Sequence, residues 1–251
     1  MSISRVLIAA LLLLSMLVLP GSGWGSSPVR VVVSIEPQRW LVEQIGGGQV
    51  EVQVLVEPGE SPTSYQPTDA QVTQLLRSDL FMRIGVPFER GLWFEAVAKL
   101  GRIRMVDLRD GIELRGEDPH IWLSPRLLTI QASTVSEALS QVDPLHRADY
   151  QARLDGLESR LAELDGKIRE QLEPFSGRAF FVFHPSWGYF ADEYGLLQKP
   201  VEVGGREPSD RELTELQKQA RQSGITTVFV QPQIQGRAAQ AFAATIGAQI
   251  V

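Results

Sequence analysis

Apolar positions along this chain switch repeatedly between the period of a strand and that of a helix. Val29 to Ile35 is rich in β-branched residues and reads as a strand. Pro37 to Ile45 has helical spacing and is closed by Gly46, Gly47 and Gly48. Val50 to Val56 alternates apolar and polar residues, as a strand does. A loop rich in Pro, Gly and Ser follows from Glu57 to Pro67, and Thr68 to Arg77 then reads as a helix with Thr68 as its cap. Asp79 to Gly85 and Arg102 to Leu108 read as strands, separated by a helix around Leu92 to Leu100. This alternation predicts a mostly parallel sheet covered by helices.

The middle of the chain has a different rhythm. Pro144 to Pro174 contains no internal proline, and Leu154, Leu157, Leu161, Leu164, Ile168 and Leu172 step by three or four residues. Charged residues fill the other faces, which predicts one long amphipathic helix, of about 28 residues and roughly 40 Å. A coiled-coil partner helix is the alternative, but the stripe covers only about three heptads. Beyond Gly177 the alternation resumes. Strands are expected at Arg178 to Phe183, Val201 to Val203 and Ile225 to Val230, and helices at Trp187 to Tyr194, Ser209 to Ser223 and Arg237 to Ile246. The simplest architecture is α/β: two Rossmann-like lobes with mostly parallel sheets, joined by one long rigid α-helix. The expected division is a signal over 1–25, a first lobe over 26–143, a linking helix over 144–174 and a second, incomplete lobe over 175–251.

The N-terminus has the order of a secretory signal: Arg5, an apolar run from Val6 to Leu19 broken only by Ser15, then Pro20 and small residues. The run is short for a membrane span of ~20 residues, so an uncleaved anchor is the lesser alternative. The chain has no cysteine, which excludes disulfides and a lipid-modified cysteine. A periplasmic location is expected. A net charge of −6 with no basic patch argues against a nucleic-acid partner.

Three histidines are present, and two share a setting. His120 lies in Asp118-Pro119-His120-Ile121-Trp122-Leu123-Ser124-Pro125, and His184 follows Phe180-Phe181-Val182-Phe183. Each stands between an apolar segment and a turn, beside a proline and near a tryptophan. Ligands of open α/β sheets bind outside the carboxyl ends of strands, and imidazole is the commonest side-chain metal ligand. The two are too distant in sequence to share a helical face and can meet only across a cleft. On spacing alone, a metal site and two unrelated buried or capping histidines stand about even. His146, in Asp143-Pro144-Leu145-His146, is read as a buried or capping side chain.

Several segments taken together carry more. Val56-Glu57-Pro58-Gly59-Glu60-Ser61-Pro62, Asp118 to Pro125, Phe183 to Leu196, Glu202 to Ser209 and Val228 to Gln233 resemble, in order, the cluster 9 (zinc and manganese) solute-binding proteins of bacterial ABC importers. The resemblance runs from about Val29 to the last residue. It implies two α/β lobes bridged by a rigid helix, a divalent metal held between them and delivery to a membrane permease. It places His120 and His184 at the second and third ligand positions. A histidine at the third is the zinc-type pattern, so Zn2+ is the expected cargo, with Mn2+ or another divalent metal as alternative.

Two departures stand out. Thr63 occupies the slot where relatives carry a histidine, and the family's fourth ligand, an aspartate, falls just beyond Val251. Thr63, Gln66 and Glu207 are therefore weak or supporting candidates, and Glu60 is another possible oxygen donor. Asp118 is expected to orient the His120 loop, although it and Glu202 read first as surface or capping groups. The protein is expected to be a monomeric receptor for a divalent metal ion and no enzyme. A metal-dependent hydrolase is the second reading, against which stands the lack of HExxH, Gly-x-Ser-x-Gly or a paired acid/base motif. A relative that has lost metal binding and acts as an adhesin is the third.

Overall fold

The computed structural model describes residues 27–202, 206, 208–231 and 237–251. The expected signal over 1–25 lies outside the described residues, as do Val203 and Glu207. The first lobe holds strands β1 (Val29–Val33), β2 (Val50–Val54), β3 (Leu80–Arg83) and β4 (Arg104–Asp107) in the order β2-β1-β3-β4. The second holds β5 (Ala179–Val182), β6 (Leu197–Pro200), β7 (Thr227–Phe229) and β8 (Gln249–Ile250) in the order β6-β5-β7-β8. Among the described residues, each pair of these strands is parallel. The same order therefore occurs twice, a repeat of architecture that leaves no trace as repeated residues.

Parallel strands are buried on both faces, so both faces of the first sheet need a helical layer. Val29, Val31 and Val33 of β1 point into one core, shared with helix α1 (Glu36–Gly46), and Val32 points into the other. Helices α2 (Asp69–Leu75) and α3 (Leu92–Leu100) cover that second face. Thr68 caps α2 by accepting from Gln71 N at 3.3 Å, as its position predicts.

Helix α4 (Pro125–Val142) is a departure from the sequence reading, which gave this stretch no element. Its start carries the expected signals: Ser124 accepts from Leu127 N at 3.1 Å, and Pro125 opens the first turn. Leu127, Ala132, Val135, Ala138 and Leu139 form its buried stripe. The long helix is borne out as α5 (Arg147–Leu172), 26 residues flanked by short 3-10 turns that begin at Pro144 and Glu173. Tyr150, Leu154, Leu157 and Leu161 bury its first half in the first lobe, whereas Leu164 is exposed.

The second lobe adds α6 (Gly188–Glu193), α7 (Asp210–Gln222) and α8 (Arg237–Ile246). The strand expected at Val201 to Val203 instead lies at Leu197–Pro200, ending in a proline. Proline cannot donate to a ladder and is confined to edge strands or strand ends. β6 is an edge strand, with Pro200 opposite Val182, so the missing N–H costs nothing there. Among the described residues, no helix is long and apolar enough to cross a membrane.

The joint between α4 and α5 is polar. Asp143 Oδ2 accepts from Tyr150 Oη at 2.7 Å and lies 2.6 Å from His146 Nδ1, so His146 pairs with a carboxylate and its side chain caps no helix. Burial alone would raise the Asp143 carboxyl, but the hydrogen bonds from Tyr150 and His146 outweigh it and hold the group below its ordinary value. A depressed folded value stabilises fully above the unfolded carboxylate value of about 3.9 and is lost as pH falls through the folded one. Asp143→Asn is therefore expected to lower the urea midpoint at pH 7, with the deficit shrinking below about pH 4. An equal deficit at both pH values would contradict this account of the joint.

Candidate metal centre

His120 is placed by the loop that leaves β4. It precedes a 3-10 turn, Ile121–Leu123, whose Ile121 is wholly buried in the first lobe and fixes the loop to the core. Asp118 then holds the histidine twice: its Oδ1 accepts from His120 N at 3.0 Å and lies 2.6 Å from His120 Nδ1. The Trp122 ring packs obliquely on the imidazole, centroid to centroid 5.1 Å.

His184 is placed by β5. It stands two residues beyond the strand, at the point where the order of the second sheet reverses, which is where such sheets hold ligands. Backbone pairing continues past the strand ends: Val201 N donates to Val182 O at 2.8 Å and Glu202 N to Phe183 O at 2.9 Å. That register sets Glu202 beside His184, with Oε2 2.6 Å from Nδ1. Ser186, fully buried, accepts from Gln231 Nε2 at 2.9 Å and ties the turn to the end of β7.

The two imidazoles meet across the lobes. His120 Nε2 and His184 Nε2 are 3.3 Å apart, with the rings at 76°. Each Nδ1 faces a carboxylate, so a neutral ring that donates there turns a bare Nε2 toward the other lobe. Two such rings need a proton or a metal ion between their Nε2 atoms. Two nitrogens at about 2.05 Å from a tetrahedral zinc are roughly 3.3 Å apart, so the observed span fits such an ion. Both rings are mostly buried, which strengthens the field of the two carboxylates at this point.

The other candidates fall outside this pair. Thr63 and Gln66 are exposed on the 57–67 loop, and Glu60 of the same loop accepts from Glu57 N at 3.1 Å. Glu207 lies outside the described residues. Among the described residues, no group of three or more His, Cys, Asp or Glu side chains converges as a metal cage. The expected orienting role of Asp118 is present. Glu202 corrects the surface reading: it is a mostly buried partner of His184, placed there by the register of β6 on β5. Glu89 escaped the sequence reading altogether. It is 1% exposed and closes the reversal point of the first sheet, accepting from Ser34 Oγ at 2.6 Å, Ile84 N at 3.0 Å and Gly85 N at 2.7 Å.

Fold and site together define a two-lobed α/β binding protein with a cation-sized junction between the lobes. Residues 31–251 match the family described as zinc-uptake complex component A, periplasmic (ZnuA), and the chain belongs to that family. It is similar to the high-affinity zinc uptake system protein ZnuA of Bacillus subtilis strain 168, 25% identical over 88% of this chain and 76% of the relative. The protein of the same name from Paracoccus denitrificans is 26% identical over 80% of this chain and 75% of its own length. A crystal structure of ZnuA superimposes with a TM-score of 0.82 at 38% identity, covering 89% of this chain and 90% of the other. A zinc-bound ZnuA lacking residues 138–173 of its own sequence gives 0.81 at the same identity, covering 89% of each chain. The family expected from the sequence segments is thus borne out, as is the two-lobed fold.

The geometry makes a direct spectroscopic prediction. In ¹⁵N-labelled protein at alkaline pH, His120 and His184 should both show a protonated Nδ1 and a bare Nε2 in long-range ¹H–¹⁵N correlation spectra. The opposite tautomer in either ring would contradict the carboxylate pairing.

Proposed function

We propose that this protein is the periplasmic zinc receptor of an ABC importer, capturing Zn2+ between its lobes and delivering it to the membrane permease. The observation that carries this reading is the 3.3 Å approach of two carboxylate-backed Nε2 atoms, one from each lobe. His120 and His184 are the metal ligands, and Asp118 and Glu202 orient them. Imidazole nitrogens suit zinc better than manganese, which prefers oxygen. The names of the Bacillus and Paracoccus relatives, high-affinity zinc uptake system proteins, support the same cargo. Thr63, Gln66 and Glu207 remain at most supporting donors, and water completes the coordination where protein atoms do not.

The metal is cargo, so the protein carries out no catalytic step. It acts as a monomer outside the cytoplasmic membrane and binds no nucleic acid. The division into a first lobe to residue 143, a linking helix over 144–174 and a second lobe from 175 belongs to this reading. Tyr150, Leu154, Leu157 and Leu161 anchor that helix in the first lobe.

Competition with a chromogenic chelator at neutral pH tests the reading. One equivalent of Zn2+ should bind, and His120→Ala and His184→Ala should each weaken it by more than about 100-fold, since losing a supporting partner alone costs 10–100-fold. Asp118→Asn and Glu202→Gln should fall within that smaller range. Unchanged affinity in both alanine variants would end the assignment.

A further inference from the structure

Helix α6 belongs to the second lobe by chain order, yet its Tyr189 is seated in the first. Tyr189 is 6% exposed and packs within the first lobe's core with Ile112, Ile121 and Leu127. Its hydroxyl accepts from Arg115 N at 2.9 Å and donates to Asp118 O at 3.1 Å. Both partners lie on the loop that carries His120, and Asp118 is the residue whose carboxylate holds the His120 ring. Arg115 closes the loop from outside, with Nη1 3.4 Å from Asp118 Oδ2 and Nε 2.6 Å from Asp192 Oδ2 of α6. Glycine at 188 permits this approach: a Cβ there would overlap Arg115 Nη1 and come within 2.7 Å of Asp118 Oδ2.

The far end of α6 makes a second contact of the same kind. Glu193 hydrogen-bonds to Ser124 Oγ, at the start of α4, and its Oε1 lies 3.6 Å from Arg126 Nε. A carboxylate at a helix N-terminus is favoured by the helix dipole. Its carbonyl accepts from Arg169 Nη1 at 3.3 Å, and Tyr194 Oη donates to Asp165 at 2.8 Å, so the linking helix is held too. The segment that follows His184 by a few residues is therefore bolted to the segments on either side of His120.

We propose that Tyr189 is a positioning residue of the metal centre, gripping the 115–118 turn so that Asp118 presents His120 Nε2 to His184 at a metal-bridging distance. This rests on the reading that His120 and His184 hold the metal. The physical logic is that two ligands on separate lobes bind tightly only when their separation is set in advance, because any freedom between the lobes must be given up on binding. One hydroxyl joining the second lobe to both ends of the Arg115–Asp118 turn removes that freedom at the point where it matters. Burial pushes the Tyr189 phenol above its ordinary value, so it stays protonated and able to donate.

Tyr189→Phe keeps the ring in the core and removes only the two hydrogen bonds. On the full chain, Zn2+ affinity by chelator competition should fall about 10-fold, the lower end of the cost of losing a ligand's support. The visible spectrum of the Co2+-loaded protein should change, since ligand geometry sets it. The absence of cysteine allows spin labels at Leu92→Cys and Leu197→Cys, one exposed site on each lobe. Without metal, the interlobe distance distribution should be narrow in the parent and broader in Tyr189→Phe. Gly188→Ala, which presses on Arg115 and Asp118 with the hydroxyl retained, should weaken Zn2+ in the same direction. A general loss of stability would leave the Co2+ spectrum and the distances of the folded protein unchanged.

Parent-like affinity and Co2+ spectrum in Tyr189→Phe, alongside loss of binding in His120→Ala, would overturn the positioning role alone. A broader distance distribution without loss of affinity would overturn it as well. Parent-like binding in His120→Ala would instead remove the metal assignment on which the role rests.

Discussion

Two imidazoles on separate lobes meet tip to tip at 3.3 Å, each pressed forward by a carboxylate on its far nitrogen. Two bare Nε2 lone pairs in that position would repel, whereas a shared proton or a metal ion would join them. The approach is set by contacts on both sides of the pair. The Asp118 loop is anchored through Ile121, Glu202 is set by backbone pairing beyond β5 and β6, and α6 crosses from one lobe to the other.

The two sheets share one strand order but use their reversal points differently. In the second lobe the point holds His184, whose ring faces out of the lobe. In the first lobe the equivalent point is filled from within by the Glu89 carboxylate, which satisfies Ser34, Ile84 and Gly85 and pairs with Arg83 at 3.2 Å. A buried carboxylate is tolerable only when paired and hydrogen-bonded in this way. The first lobe instead places His120 on the loop after β4. One architecture, used twice, supplies one imidazole from a strand end and one from a loop.

How much of this was legible in the chain follows from the range of each interaction. Helix and strand periods are local, so α3, α5 and α8 could be read almost to their ends, and Thr68 announced its cap. The histidine pair was legible because imidazoles are rare here and both stand at the edges of apolar segments. Helix α4 was missed although Ser124 and Pro125 mark its start, because Gln131, Ser136 and Ser140 on its buried face dilute the apolar period. β6 was misplaced by Pro200, which argues against a strand unless its edge position is known. Glu202 and Tyr189 could not be assigned from sequence. Their roles depend on strand register and on how one lobe sits against the other, neither of which any local pattern encodes.

The central claim is that one metal ion is held jointly by His120 and His184. Anomalous diffraction at the zinc edge from crystals of the zinc-loaded protein tests it most directly. The account predicts a single strong peak about 2.0–2.1 Å from both Nε2 atoms, with Asp118 and Glu202 still on the Nδ1 side. A peak bound to one imidazole only, or one remote from both, would contradict it.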